Sequence, residues 1–267
     1  MHPNVRSSDP GAKCSDCGMG LVEIPDRTDT TYWLDVVTKP AAVAAGRPVN
    51  VQLSVRDRAS NDVVLHFDAI HERLLHLFIV STDLQHFEHV HPAPAKDGTF
   101  EIEMMLPKPG AYRLVADFLP TGGTPQALQH TLLTRGFGTA APRFGPEPRA
   151  EILEALDGDV RARLVPSDAR TGGDAHLRLE LADRQSGHPV RDIEPYLGAW
   201  GHMFLASHDL ADLVHSHPLV QETTPGGPTI TFQTLFGRNG WYRVWAQVQR
   251  RGRLLTFDFT MRVAPTL

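Results

Sequence analysis

Two short stretches of the chain place histidines at intervals that suit metal coordination. Residues 75–92 read LHLFIVSTDLQHFEHVHP, and residues 201–218 read GHMFLASHDLADLVHSHP. In each stretch a single histidine precedes an H-x-H pair by thirteen residues. Neutral imidazole is the commonest metal ligand in proteins, so both triads are candidate metal sites. The candidate ligands are His76, His89 and His91 in the first stretch and His202, His215 and His217 in the second.

Strand pairing can bring the three imidazoles of each triad to one face of a sheet. Residues i and i+2 of a strand project from the same face, so each H-x-H pair supplies two neighbouring ligands. If Ser81 pairs with His86 across a four-residue loop, His76 lies opposite His91 on that face. The same register in the second stretch aligns its first histidine with its last. A slip of one residue would send the third histidine to the other face.

This register also predicts what accompanies the histidines of the first stretch. Phe78 lies opposite His89, and Val80 and Phe87 continue that face as apolar core. The three histidines are therefore expected at one end of a buried apolar face.

The composition of the triads indicates which metals they would bind. Three imidazoles with room for water suit copper or zinc, whereas the carboxylate-rich cages that bind calcium or magnesium are not visible in the sequence. His71 is a further candidate ligand in the first copy. Leu197 occupies the aligned place in the second copy, so coordination there is expected to be poorer, with His208 as a supplement.

Two other interpretations of the histidines remain open. They could form buried hydrogen bonds in a structural or adhesive protein, in which case Asp83 and Asp209 are simply turn residues that bond their own backbone. Alternatively, the first triad could be a mononuclear metalloenzyme site, with Glu72 or Asp83 as the base. No G-x-S-x-G, P-loop or dinucleotide motif supports an enzyme.

The two histidine stretches are copies of one unit. Residues 76–92 align with residues 202–218 without gaps, and eight of the seventeen positions are identical. Chance would give about one identity, so the chain contains an internal repeat.

Composition and pattern predict an all-β fold. The chain has 22 glycines and 21 prolines in 267 residues, and its apolar residues alternate in short runs bounded by turn formers. About seven strands in each copy of roughly 110 residues suit an immunoglobulin-like β-sandwich. We expect two tandem sandwiches at residues 30–137 and 152–267, joined by a Pro- and Gly-rich linker at 138–151, with a small peripheral helix near residues 148–156.

Charge and hydropathy argue against nucleic-acid binding and against a membrane-spanning segment. The formal net charge is −5 and no basic run is present, so nucleic acid is not an expected partner. No stretch approaches the roughly 18 apolar residues of a membrane span.

The first 25 residues form a separate segment that is rich in soft metal ligands. Two cysteines spaced C-x-x-C lie near a thioether and an imidazole, a set suited to Cu(I) or Zn. The candidate ligands are His2, Cys14, Cys17 and Met19.

This segment resembles the short heavy-metal-binding domain found on copper-efflux adaptor proteins and some metal-transporting P-type ATPases. The resemblance is carried by MHP at residues 1–3, PG at 10–11 and CSDCGMGL at 14–21. It departs from the family pattern in one extra residue between Gly11 and Cys14 and in Ser15, where a proline is usual.

The same resemblance bears on where the protein is located. The family motif begins with a cysteine two residues before its methionine, and this chain starts at that methionine. We therefore expect an upstream start that adds the cysteine and a signal peptide, which predicts a periplasmic or secreted protein. The chain would be cytoplasmic if Met1 is the true start.

Residues 32–264 resemble uncharacterised bacterial proteins in which such a segment precedes tandem immunoglobulin-like domains of the YtkA type. This resemblance implies a fold and a metal association, but no activity. The expected function is extracytoplasmic binding of copper, favoured over zinc, in heavy-metal homeostasis or efflux. The protein would sequester the ion or relay it to an efflux or metal-delivery protein, without catalysis.

Overall fold

A computed structural model describes residues 12–13, 15, 32–137, 144–219 and 222–266. The described residues form eighteen strands and no α-helix, and the chain divides into two compact units between Gly145 and Pro146. The all-β prediction is confirmed. The small helix expected near residues 148–156 is wrong, because Ile152 bridges to Thr260 and the next residues form a strand.

The first unit contains nine strands in two antiparallel sheets. In chain order they are β1 (Tyr32–Lys39), β2 (Pro48–Asp57), β3 (Phe67–Asp68), β4 (Leu75–Ser81), β5 (Phe87–Val90), β6 (Ala93–Pro94), β7 (Thr99–Met105), β8 (Ala111–Pro120) and β9 (Gln126–Leu133). One sheet has the order β1-β2-β7-β6. The other has the order β3-β8-β4-β5, and β9 also pairs with β8.

The second unit repeats this arrangement. Its strands are β10 (Glu154–Asp157), β11 (Val160–Ser167), β12 (Asp174–Asp183), β13 (Ile193–Glu194), β14 (His202–Ser207), β15 (Leu213–Ser216), β16 (Thr229–Leu235), β17 (Gly240–Arg250) and β18 (Arg253–Val263). One sheet has the order β10-β11-β12-β16. The other has the order β13-β17-β14-β15, and β18 pairs with β17.

Each unit is a sandwich because one face of each sheet contributes to a shared core. In the first unit Leu53 of β2 and Phe100 of β7 belong to the same apolar cluster as Leu77 of β4 and Leu114 of β8. Burying each such side chain stabilises the fold by roughly 1.5–3 kcal/mol. The second unit has the equivalent cluster, built from β11, β12 and β16 on one side and β14, β17 and β18 on the other. The prediction of two tandem immunoglobulin-like sandwiches is confirmed.

A buried tyrosine closes the same corner of each sandwich. The hydroxyl of Tyr112, at the start of β8, donates to the carbonyl oxygen of Lys108 at 2.8 Å. The hydroxyl of Tyr242, on β17, lies 3.0 Å from the carbonyl oxygen of Arg238 and also contacts the Asp212 carboxylate. This hydrogen bond to a carbonyl four residues upstream is the tyrosine corner of immunoglobulin-like domains.

Strand β4 is buried on both of its faces, and this corrects one expectation. Leu75, Leu77 and Ile79 belong to the core between the sheets. Phe78 and Val80 are also buried, but they lie on the opposite face of the sheet, together with His76. The histidine face is therefore apolar and buried as predicted, but it is not part of the sandwich core.

We predict that Tyr112→Phe destabilises the protein by about 1–2 kcal/mol, because it removes the corner hydrogen bond and leaves a partly buried carbonyl without this donor. The midpoint of urea unfolding, followed by circular dichroism, measures this effect. Tyr32→Phe, on a half-buried tyrosine of β1, is the matched control and should change the midpoint much less. Equal shifts for the two variants would contradict the role given to the corner.

Candidate metal centre

The turn between β4 and β5 is held by one serine hydroxyl. Ser81 Oγ donates to the Asp83 carboxylate at 2.6 Å and accepts the backbone N–H of His86 at 2.9 Å. The second copy has the same turn, in which Ser207 Oγ donates to Asp209 at 2.7 Å and accepts the N–H of Asp212 at 2.9 Å. The two aspartates are turn residues, as the hydrogen-bonding alternative predicted.

This turn sets the register that the histidines need. Phe78 pairs with His89 and Val80 with Phe87, and the Ser81 N–H donates to the His86 carbonyl oxygen. Continuing the register by two residues places His76 opposite His91. In the second copy Phe204 pairs with His215, and the same continuation places His202 opposite His217. The predicted register is confirmed.

In the first copy three ring nitrogens form a nearly equilateral triangle. His76 Nδ1 lies 3.0 Å from His89 Nε2, and His91 Nε2 lies 3.2 Å from each of those two atoms. Zinc–imidazole bonds of about 2.0–2.1 Å at tetrahedral angles place neighbouring nitrogens about 3.3–3.4 Å apart. The triangle is therefore close to the face that three imidazoles present to one metal ion.

The orientation of His76 is determined by a backbone carbonyl. Its Nε2–H donates to the Ile70 carbonyl oxygen at 2.8 Å, so its Nδ1 directs a lone pair at the other two rings. Hydrogen bonds of this kind to the distal nitrogen are typical of metal-binding histidines. The His89 ring stacks on Phe78 at 4.4 Å between centroids, which fixes its plane.

Burial keeps His76 and His91 uncharged. Burial lowers the pKa of His76, and the hydrogen bond to Ile70 only partly opposes this effect. Burial, followed by the charges of His76 and Arg73, lowers the pKa of His91 to about 3. At neutral pH both imidazoles are therefore neutral, which is the form that binds metal.

The second copy has the same cluster with less even spacing between its rings. The ligand nitrogens of His202, His215 and His217 all lie within 4.8 Å of one another. The ring centroids are separated by 4.2–5.7 Å, against 4.7–5.3 Å in the first cluster. His202 Nε2 donates to the Tyr196 carbonyl oxygen at 3.0 Å, as His76 does to Ile70.

The remaining predicted ligands are placed differently. The His71 ring lies 6.4 Å from that of His76, and His71 is not a member of the first group of close ligand atoms. His208 belongs to neither group. His2, Cys14, Cys17 and Met19 lie outside the described residues.

The two candidate bases do not lie among the cluster atoms either. Asp83 is engaged by Ser81 and by Lys108 Nζ, which lies 2.5 Å from its carboxylate. Glu72 is exposed in the turn before β4.

Sequence reasoning missed four residues around the clusters. Ile70 and Tyr196 orient the first histidine of each cluster through backbone carbonyls, which leave no signal in residue type, and the Tyr196 ring also meets the His202 ring edge-on at 5.6 Å between centroids. Asp117, opposite His76 on β8, and Gln247, opposite His202 on β17, follow from strand pairing between distant segments. Burial raises the pKa of Asp117 to about 6, against the opposing effect of a charged His76.

Fold and site together define a tandem immunoglobulin-like β-sandwich protein with one trihistidine cluster in each sandwich. Residues 29–136 and 154–265 each match the family described as Domain of unknown function (DUF8832), and the chain belongs to this family. Residues 1–24 match the Heavy metal binding domain, which confirms the resemblance found in the sequence. The chain thus combines a heavy-metal-binding segment with two copies of one β-sandwich domain. No match to this chain was found among curated proteins.

Several solved structures are similar to the chain at low sequence identity. FdeC, a broadly conserved Escherichia coli adhesin, is 15% identical over 91% of this chain and 67% of its own, with a TM-score of 0.28. Invasin, a bacterial integrin-binding protein, is 13% identical over 85% of this chain and 38% of its own, with a TM-score of 0.24. Domains 4 and 5 of the S-layer protein SbsC are 10% identical over 89% of this chain and 99% of their own, also with a TM-score of 0.24. At these TM-scores the similarities carry no functional inference.

Within the part of the chain that the structure describes, no helix has the length and apolar character needed to cross a membrane.

We predict that Ser81→Ala destabilises the protein by about 1–3 kcal/mol, because the turn loses a hydroxyl that makes hydrogen bonds to both the backbone and Asp83. Thermal unfolding of the metal-free protein measures the loss. Ser167→Ala, at an exposed serine of β11, is the control and should be nearly neutral. A neutral Ser81→Ala would show that the register does not depend on this hydroxyl.

Proposed function

We propose that this protein binds copper or zinc outside the cytoplasm and sequesters the ion or relays it in heavy-metal homeostasis. The observation that carries the proposal is the triangle of ring nitrogens from His76, His89 and His91, with sides of 3.0–3.2 Å. The heavy-metal-binding domain at residues 1–24 supports the same class of ligand.

A bound cation satisfies the triangle better than hydrogen bonds do. His76 presents a lone pair, because its proton is used on Ile70. If the other two nitrogens both donate to His76, they face each other with two N–H groups. If only one of them donates, the lone pair of the remaining nitrogen faces the lone pair of His76 Nδ1. At least one of the three contacts is therefore unfavourable in every neutral arrangement, whereas a metal ion accepts all three lone pairs.

The ligand set favours copper over zinc. All three close ligands are imidazoles, which suit both metals, and nitrogen ligands generally bind Cu(II) more tightly than Zn(II). The two cysteines of the N-terminal segment add a soft set that suits Cu(I). The segment would capture the ion, and the clusters would hold it for an efflux or metal-delivery protein.

The substitutions Cys14→Ser and Cys17→Ser remove the N-terminal thiols from the full chain. We predict that this variant binds about two equivalents of Cu(II) or Zn(II), one for each histidine cluster. His89→Ala together with His91→Ala should remove one equivalent, because only one cluster then keeps its ligands. Titration calorimetry and elemental analysis give the stoichiometry. His66→Ala together with His188→Ala, at two exposed histidines, is the matched control and should keep both equivalents.

Thermal unfolding separates this proposal from a purely structural role for the histidines. Metal at one hundred times its dissociation constant should stabilise the parent by about 2.7 kcal/mol for each occupied cluster, and the gain at the first cluster should be lost in the His89 and His91 double variant. Destabilisation of that variant with no metal response in the parent would leave the histidines as structural residues.

We further propose a periplasmic or secreted location, as the resemblance of the N-terminal segment implies. Cell fractionation of the protein, tagged at its C-terminus and expressed from its own gene, is expected to recover it with periplasmic or secreted marker proteins. Recovery with a cytoplasmic marker would refute this location without affecting the metal proposal.

A further inference from the structure

The turn that precedes the first histidine has the same backbone conformation in both copies. Residues 71 and 72 have φ of 47° and 63°, and residues 197 and 198 have φ of 50° and 70°. Two successive residues with positive φ are the mark of a type I′ turn. Ile70 pairs with Arg73, and Tyr196 pairs with Ala199, across these turns.

Each turn is tied to its cluster through one carbonyl. Ile70 accepts the Nε2–H of His76, and Tyr196 accepts that of His202. The next residue is His71 in the first copy and Leu197 in the second. The backbone of this residue is therefore held in the same way relative to its cluster in both copies, and the side chain it carries is an imidazole in the first copy and an apolar group in the second.

The His71 imidazole lies near the first cluster but outside its ligand triangle. Four imidazoles on one tetrahedral ion would have ring centroids about 5 Å apart. The rings of His76, His89 and His91 are separated by 4.7–5.3 Å, and the His71 ring lies 6.4 Å from that of His76. The His71 ring is therefore about 1–2 Å farther from the His76 ring than a fourth imidazole ligand would be.

We propose that His71 is a fourth ligand of the first cluster, whereas Leu197 leaves the second cluster with one coordination position open to exchangeable ligands. The first site then holds its ion in a closed four-coordinate shell, and the second exchanges it. Closed four-ligand sites are typical of structural metal, and three-ligand sites keep a position for water or substrate. The inference rests on the proposed metal-binding function and assigns different roles to its two sites.

The test uses the full chain with Cys14→Ser and Cys17→Ser, so that the N-terminal thiols do not compete for metal. Co(II) is the probe, because its visible absorption reports coordination number, and azide is the exogenous ligand. The first site is isolated by His215→Ala with His217→Ala, and the second by His89→Ala with His91→Ala.

In the protein with only the first site, His71→Leu should weaken Co(II) binding by about tenfold or more and make its spectrum respond to azide. His66→Leu, at an exposed histidine, is the control and should change neither property. His71→Asn should have the same effect as His71→Leu. Because asparagine tolerates the positive φ of this position, agreement between the two variants would show that the effect does not come from a folding defect.

In the protein with only the second site, azide should change the Co(II) spectrum as long as Leu197 is unchanged. Leu197→His should tighten Co(II) binding and suppress that response.

Unchanged affinity and azide response in both His71 variants would overturn the inference and leave the proposed function standing. Absence of both Co(II) and Cu(II) binding in both isolated sites would overturn the proposed function and the inference with it.

Discussion

The register between β4 and β5 is the constraint on which the histidine clusters depend. Side chains alternate between the two faces of a strand, so a shift of one residue would separate His76 from His89 and His91. The Ser81 hydroxyl holds the turn by bonding Asp83 and the His86 N–H. One short turn therefore determines whether three imidazoles meet, and the second copy uses the same device at Ser207.

Burial then determines the chemical state of the imidazoles. His76 is fully buried and His89 is nearly so, and burial lowers the pKa of His76 and of His91. Three neutral rings in this triangle cannot all form hydrogen bonds with one another, since at least one contact joins two like groups. A cation resolves this conflict by accepting all three lone pairs. The arrangement of the rings is therefore unfavourable for histidines that only form hydrogen bonds with one another, and it suits a metal site.

Duplication preserved the framework and allowed its surroundings to diverge. Both copies retain the serine turn, the tyrosine corner, the type I′ turn and the carbonyl that orients the first histidine. The differences lie immediately outside the triangle, where Asp117 is replaced by Gln247 and His71 by Leu197. Without the Asp117 carboxylate and the His71 imidazole, the second site is expected to differ from the first in affinity and exchange while keeping three equivalent histidines.

The sequence alone determined which residues form the triads, the two-residue period that puts each H-x-H pair on one face, and the repeat that predicts two sandwiches. These are local properties, because alternation and turn chemistry act over a few residues. Only the tertiary structure decided that Ile70 orients His76, that Asp117 lies opposite it, and that the face with Phe78 and Val80 lies outside the sandwich core. Such features depend on pairing between strands far apart in the chain and on which sheet face meets the other sheet. A strand that is apolar on both faces, as β4 is, does not show in its sequence which face that will be.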